Sequence, residues 1–378
     1  MQARLSRRIT RLGPSPVREI LAAASGRDVI SLAGGLPDAS TFPVGFGLPP
    51  GWEQYGLTEG DAAVREAVSL HLRRRGLDCP ASRILLTHGS QQGIDLAAKL
   101  LVDEGTEVTC QAPTYVAALQ VFRLFGASLR GVDLSIQDPV RLRNWLAERN
   151  PDLFYAIPSG NNPTGATWTE AMRDALAQAA DAQGFCVLED DPYGEIWFDA
   201  PPPAPVCARV KTASWIFLGS FSKSYVPGLR LGFLAASEDL FVPLERLKQA
   251  ADLHSNRLSQ ALVLADLVDP CREERLDALR AAYREKRDRF AASLARHFPQ
   301  ARWELPGSGL FFWAELAPGR DLRPLGKLAL EAGVAFLPGE HCYPNEPELG
   351  WARLNFSHAT PEQADEGLRR LARVFAGF

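Results

Sequence analysis

Lysine is scarce in this sequence. Among 41 basic residues in a chain of 378, lysine stands only at Lys99, Lys211, Lys223, Lys248, Lys286 and Lys327. Where arginine is the default cation, a surviving lysine invites a chemistry that a permanently protonated guanidinium does not supply. Long apolar runs are missing as well. No stretch approaches the ~20 residues of a membrane helix, and no apolar segment follows the basic start, so neither a span nor a secretory leader is expected. The first thirty residues carry no acid before Glu19 and read as a solvated arm or helix rather than a targeting sequence. The six cysteines (Cys79, Cys110, Cys186, Cys207, Cys271, Cys342) form no C-x-x-C pair, and the six histidines show no H-x-x-x-H spacing. Structural disulfides and a zinc or other metal site are therefore not expected. A net charge of −4 gives no electrostatic reason to expect nucleic acid. The expected location is cytoplasmic.

What is present is an ordinary globular composition, 46% hydrophobic and 23% charged, with length for two or three domains and a pocket between them. From Ser82 onward, short β-rich runs alternate with amphipathic segments. Arg83–Leu86 leads to a helix from Ser90, Glu107–Cys110 to Thr114–Phe125, Ser128–Val132 to Asp138–Arg149, and Leu153–Ile157 to Thr169–Ala182. Phe185–Leu188, Trp215–Leu218 and Leu231–Ala235 continue the series. Such alternation predicts an α/β layer with a mostly parallel sheet. Beyond Ser237 long helical stretches run to Arg296. Strands at Ala301–Glu304 and Leu310–Glu315, a helix near Asp321–Ala332 and a last helix after Thr360 then predict a second, α+β domain.

Four segments at the ends of predicted strands carry polar chemistry, where open α/β sheets place ligands. Thr87-His88-Gly89-Ser90-Gln91-Gln92-Gly93 runs from a strand into a helix start, a place suited to a phosphate, although Ser90 could equally be a plain N-cap. Pro158-Ser159-Gly160-Asn161-Asn162-Pro163-Thr164-Gly165 is a polar loop whose residues are also ordinary turn formers. Val187-Leu188-Glu189-Asp190-Asp191-Pro192-Tyr193 ends an otherwise apolar strand with three acids. A buried carboxylate there needs a cation or strong donors, unless the acids point outward into the loop. Leu218 to Arg230 sets Lys223 among hydroxyls with an arginine seven residues on. A lysine desolvated beside another cation can form a Schiff base with an aldehyde or ketone. Taken together, a lysine, two hydroxyls, an arginine and a buried acid match the needs of pyridoxal phosphate.

On these motifs the sequence resembles the fold-type I pyridoxal-phosphate aminotransferases, in the branch of the α-aminoadipate and kynurenine aminotransferases and the aminotransferase-like domains of MocR regulators. The resemblance begins near Pro16. It runs through Ile30-Ser31-Leu32-Ala33-Gly34-Gly35-Leu36-Pro37, Tyr55-Gly56-Leu57-Thr58-Glu59-Gly60, Gly89-Ser90-Gln91 and Ala112-Pro113-Thr114-Tyr115. Asn162-Pro163-Thr164-Gly165, Glu189-Asp190-Asp191-Pro192-Tyr193, Ser220-Phe221-Ser222-Lys223, Pro227-Gly228-Leu229-Arg230 and Arg353-Leu354-Asn355-Phe356-Ser357 follow in order. It implies a mostly parallel seven-stranded sheet in a large domain (45–252), a smaller α+β domain (253–378), and an N-terminal arm with part of the small domain (1–44).

By resemblance, Lys223 would bind the cofactor covalently and move the substrate proton, and Asp190 would keep the pyridine nitrogen protonated. Asn162 and Tyr193 would hydrogen-bond the ring oxygen, and Tyr115 would stack on the ring. Ser90, Gln91, Ser220, Ser222 and Arg230 would hold the phosphate, joined by Tyr55 from the other subunit of a homodimer with shared sites. Arg353 would take the substrate carboxylate, with Gly35 and Asn162 also at the substrate and Arg18 able to meet a distal carboxylate. The implied reaction passes the amino group of an L-2-amino acid to a 2-oxo acid such as 2-oxoglutarate in a ping-pong cycle. A lyase or decarboxylase of the same fold is the alternative, and a sensory module is disfavoured because only some fifteen residues precede Pro16. Two departures, a short Phe42–Tyr55 connection and Asn161 where relatives often carry glutamine, are expected near the substrate entrance.

Overall fold

The structure, a computed structural model, describes residues 29–34 and 55–377. After β1 (Ile30–Ser31) and α1 (Ala62–Arg74), strand and helix alternate as read from the sequence. The elements are β2 (Ile84–Thr87), α2 (Ser90–Leu101), β3 (Glu107–Gln111), α3 (Val116–Phe125), β4 (Ser128–Val132), α4 (Pro139–Arg149), β5 (Leu153–Ala156) and α5 (Glu170–Gln183), then β6 (Cys186–Asp191), β7 (Trp215–Ser220) and β8 (Gly232–Ala236). Local chemistry sets several helix starts. Asp138 caps α4 with Pro139 in its first turn, and Thr169 accepts from the Met172 amide to cap α5.

Strands β2 to β8 form one seven-stranded sheet in the order β2-β8-β7-β6-β5-β3-β4. Its pairs are parallel except that β8 runs antiparallel to both β2 and β7. The central strands are buried on both faces because helices cover both, so they read as near-continuous apolar runs. Successive residues alternate between two apolar layers. Phe154, Val187 and Phe217 pack on one side with Met172, while Tyr155, Leu188 and Leu218 pack on the other with Ile94 and Leu119.

The rest of the chain adds α6 (Glu238–Asp252), α7 (Arg257–Val268) and α8 (Arg272–His297). An antiparallel sheet follows, in the order β12 (Leu337–Pro338), β13 (Trp351–Asn355), β10 (Phe311–Glu315) and β9 (Arg302–Trp303). β11 (Val334–Ala335) pairs in parallel with β1, joining residues 30 and 31 to this part of the chain. α9 (Leu325–Glu331) and α10 (Pro361–Ala376) complete it, the latter opened by a capping box between Thr360 and Gln363. The strand read at Ala301–Glu304 shrinks to two residues, and the helix read from Asp321 starts only after Pro324. No helix among the described residues is long and apolar enough to cross a membrane. The six cysteines are unpaired, and no metal-ligating cluster occurs among the described residues.

Candidate active site

Strand alternation sorts the three acids that end β6. Glu189 and Asp191 face the layer beneath α5 and α1, and each meets an arginine: Arg173 lies 3.7 Å from Glu189, both fully buried, and Arg75 Nη2 lies 2.8 Å from Asp191. Arg173 also donates to the Pro158 carbonyl and Ser159 hydroxyl, which ties this pair to the polar loop after β5. Asp190 faces the opposite layer, 2% exposed. Its Oδ2 accepts from the Tyr155 hydroxyl at 2.9 Å, and its Oδ1 has no partner among the described residues. Burial raises the Asp190 carboxyl to about 7, opposed by the Tyr155 hydroxyl and the nearby Ser90 hydroxyl and reinforced by the charge of Asp191. A buried acid that lacks a cation beside two acids that each have one is a site prepared for a cationic ligand.

The loop after β7 presents Lys223. Burial, with the charges of Arg230 and Arg353, lowers its amine to about 8. Arg230 adopts φ +50° and donates through Nη1 to the Ser222 hydroxyl at 3.1 Å, while the Ser222 amide donates to the Ser220 hydroxyl. Gly89, at φ +73°, caps the start of α2, and a side chain there would fall 2.8 Å from Arg230 Nη2. Ser90 is therefore the first helical residue and not the cap. Contacts among Gly89, Ser220, Ser222 and Arg230 thus gather the α2 N-terminus, two hydroxyls and a guanidinium in one place, an arrangement able to hold an anion.

Arg353, on β13, is 2% exposed and reaches Asn162 Oδ1 with Nη1 at 2.9 Å and the Ala33 carbonyl with Nη2 at 2.6 Å. Its guanidinium lies 4.3 Å from the Phe311 ring centre, and its Nε has no partner among the described residues. Tyr193 packs edge-on against Phe311, with its hydroxyl pushed up by burial. The Tyr115 hydroxyl donates to Gln91 Oε1 at 3.2 Å. Tyr193 feels the charges of Arg353, Tyr115 and Asp190, so these residues, carried by β6 and the loop after it, β13 and the loop after β3, share one site.

Other expectations fall differently. Asn161 is buried and donates to Gln111 Oε1, while its own oxygen accepts from the Thr164 amide and hydroxyl. It folds the loop as an Asx turn instead of lining an entrance. Tyr55 is 79% exposed, its ring edge-on to His254. Arg18, Gly35 and the connection from Phe42 as far as residue 54 lie outside the described residues. Sequence reasoning did not single out Tyr155, Arg173, Arg75 or Gln111. The two arginines had one available signal: acids two apart on a buried strand share a face and require counter-charges.

The donor set fits pyridoxal phosphate. It combines a lysine amine of lowered basicity, an anion cradle with an arginine, and an unpartnered buried carboxylate oxygen. The fold and the site define a fold-type I pyridoxal-phosphate transferase. The family model of aminotransferase class I and II matches residues 29–371, and the chain belongs to that family. It is 35% identical over 383 residues to the 2-aminoadipate transaminase of Thermus thermophilus, covering 97% of this chain and 95% of that protein. It is 33% identical over 382 residues to aromatic-amino-acid aminotransferase 1 of Thermococcus litoralis, with 95% and 91% covered. The solved α-aminoadipate aminotransferase of Thermus thermophilus, in complex with N-(5'-phosphopyridoxyl)-L-leucine, superposes with a TM-score of 0.88 at 34% identity, over 99% of this chain and 97% of that one. The protein is a class I and II aminotransferase with pyridoxal phosphate as its cofactor.

Proposed function

We propose that the enzyme takes the amino group of an L-2-amino acid, from the range of 2-aminoadipate, glutamate, aromatic and branched donors, and passes it to a 2-oxo acid such as 2-oxoglutarate by a ping-pong mechanism. The observation that carries this reading is Asp190, a buried carboxylate with a free oxygen and no cation, placed in one site with a lysine of lowered pKa and a buried arginine. When bound, pyridoxal phosphate supplies an aldehyde for the amine and a protonated ring that accepts electrons. Asp190 would hold the ring nitrogen. Ser90, Gln91, Ser220, Ser222 and Arg230 would hold the phosphate, Tyr115 would lie against the ring, and Asn162 and Tyr193 would donate to the ring oxygen.

Lys223, with an amine near 8, is a workable base close to neutral pH and would take the proton from the substrate α-carbon and return it. Arg353, already oriented by Asn162 and the Ala33 carbonyl, would fork onto the α-carboxylate of donor and acceptor in turn. Gly35 and Arg18 are proposed at the substrate, Arg18 for a distal carboxylate. A homodimer with shared sites is proposed, supported by the exposure of Tyr55, Leu57 and Leu253 in neighbouring segments. The proposed location is cytoplasmic, in keeping with six unpaired cysteines, and the proposed domain division is 1–44, 45–252 and 253–378.

The test is a single half-reaction. The loaded protein, given a panel of amino acids and no acceptor, should release close to one equivalent of 2-oxo acid per chain, and the fastest donor names the substrate. Release of a different fragment, or many turnovers without an acceptor, would assign lyase chemistry instead.

A further inference from the structure

Tyr155 has no part in the roles assigned so far. It stands in the middle of β5, completely buried, and a buried phenol must place its proton on an acceptor. That acceptor is Asp190 Oδ2, at 2.9 Å. The ring is held edge-on by Phe122 with centroids 5.5 Å apart, and the backbone register sets Tyr155 opposite Leu188, two residues before Asp190 on the same face of the sheet. Asp190 is faced by Tyr155 from β5, by Ser90 from α2 and by Tyr193 beyond its own strand, with Asp191 behind it. No cation is among them. The contrast with its neighbours is chemical: Glu189 and Asp191 meet arginines that neutralise them, whereas Asp190 meets a neutral donor. An arginine at this place would compete with a cationic ligand. An apolar residue would leave the Ser90 hydroxyl as the only neighbouring side-chain donor opposing burial, and the carboxyl would hold its proton more tightly.

We infer that Tyr155 is a positioning residue: its phenol fixes Asp190 as an oriented carboxylate through Oδ2 and leaves Oδ1 for the protonated ring nitrogen of the cofactor. The inference rests on the reading of Asp190 as the ring partner. Asp190 titrates near 7 with the phenol in place, so loss of the phenol moves that titration upward.

The experiment measures binding of pyridoxal phosphate to the cofactor-stripped full chain as a function of pH, beside the 1-deaza analogue that lacks the ring nitrogen. In the unaltered chain the affinity ratio of the two ligands should fall below a break near pH 7. Tyr155→Phe should move the break up by about one pH unit, weaken pyridoxal phosphate about fivefold at pH 7, and leave the analogue unchanged. A break that stays in place, or equal losses for both ligands, overturns the role of Tyr155. Asp190→Asn should abolish the break, and its persistence there would overturn the ring-partner reading itself. Should Tyr155→Phe fail to fold, 3-fluorotyrosine placed at position 155, a stronger donor of nearly the same size, must move the break down. An unmoved or raised break counts against the inference.

Discussion

Arg353 and Asn162, 191 positions apart in sequence, share a buried hydrogen bond of 2.9 Å, so the guanidinium proposed for the substrate is oriented before any substrate arrives. Such a contact between β13 and the loop after β5 fixes one arm of the fork while Nε remains without a partner. Arg353→Lys keeps the charge and loses the planar fork. The expected outcome is a rise in KM for amino donor and oxo acid alike, on the order of tenfold to a hundredfold, with cofactor content unchanged. Steady-state kinetics with both substrates checks it, and a loss of bound cofactor would move Arg353 from the substrate to the cofactor.

Lys223→Ala should remove the lysine-linked cofactor adduct that borohydride fixes in the unaltered protein. Peptide mapping after reduction is the measurement, and an adduct surviving at another lysine would sink the assignment. Activity should fall by at least about a thousandfold, since covalent binding and proton transfer are lost together.

Asp190 makes the cofactor-free protein pH-sensitive in a defined direction. Its folded pKa, about 7, lies above the unfolded carboxylate value near 3.9, so the folded state binds more protons between the two. The contribution of this group is greatest below pH ~4 and is lost as pH rises toward about 7, on the order of 4 kcal/mol, while carboxyls held low, such as Glu195, act in the opposite direction toward acid. Asp190→Asn should therefore raise the cofactor-free Tm at pH ~8 and show a shrinking advantage as pH falls toward ~4. Thermal melts across that window decide it, and an advantage that grows toward acid would refute the buried-carboxylate account.

Arg173→Met leaves Glu189 buried and uncompensated and takes the brace from Pro158 and Ser159. A loss of about 3–5 kcal/mol is expected in denaturant unfolding, and the second change Glu189→Gln should restore part of it. Additive losses in the double variant would show that the two side chains do not act as a pair.

The legible parts of the fold were those where burial leaves a plain pattern. Leu153–Ala156 and Trp215–Ser220 are covered on both faces and read as apolar runs, and Pro139, Gly126 and Gly184 mark helix ends by their backbone preferences. The two-residue strands Ile30–Ser31, Val334–Ala335 and Leu337–Pro338 are too short to show alternation: the first two exist by pairing with each other, and the third is accepted by the longer Trp351–Asn355. Within the site, the rare Lys223 and the three acids that end β6 stood out because charge in apolar surroundings needs a reason, whereas the choice of Asp190 among those acids and the role of Arg353 came from the family resemblance. Tyr155 did not stand out, since an aromatic in an apolar strand resembles core until its hydroxyl partner is seen. Asn161 is expected near the substrate entrance but turns back on its own loop, because sequence order does not say which of two adjacent amides does so.

The bond from Arg353 to the Ala33 carbonyl brings together segments separated by 320 positions, and Asn162 adds a third distant segment. Contacts of such span are the slowest to form, because loop closure precedes any reward from the contact. The lysine, the anion cradle and Asp190, by contrast, lie between residues 89 and 230 on a single sheet. During refolding, the capacity to hold cofactor is expected to return before the capacity to grip a carboxylate, leaving a transient species that is coloured but blind to its substrate.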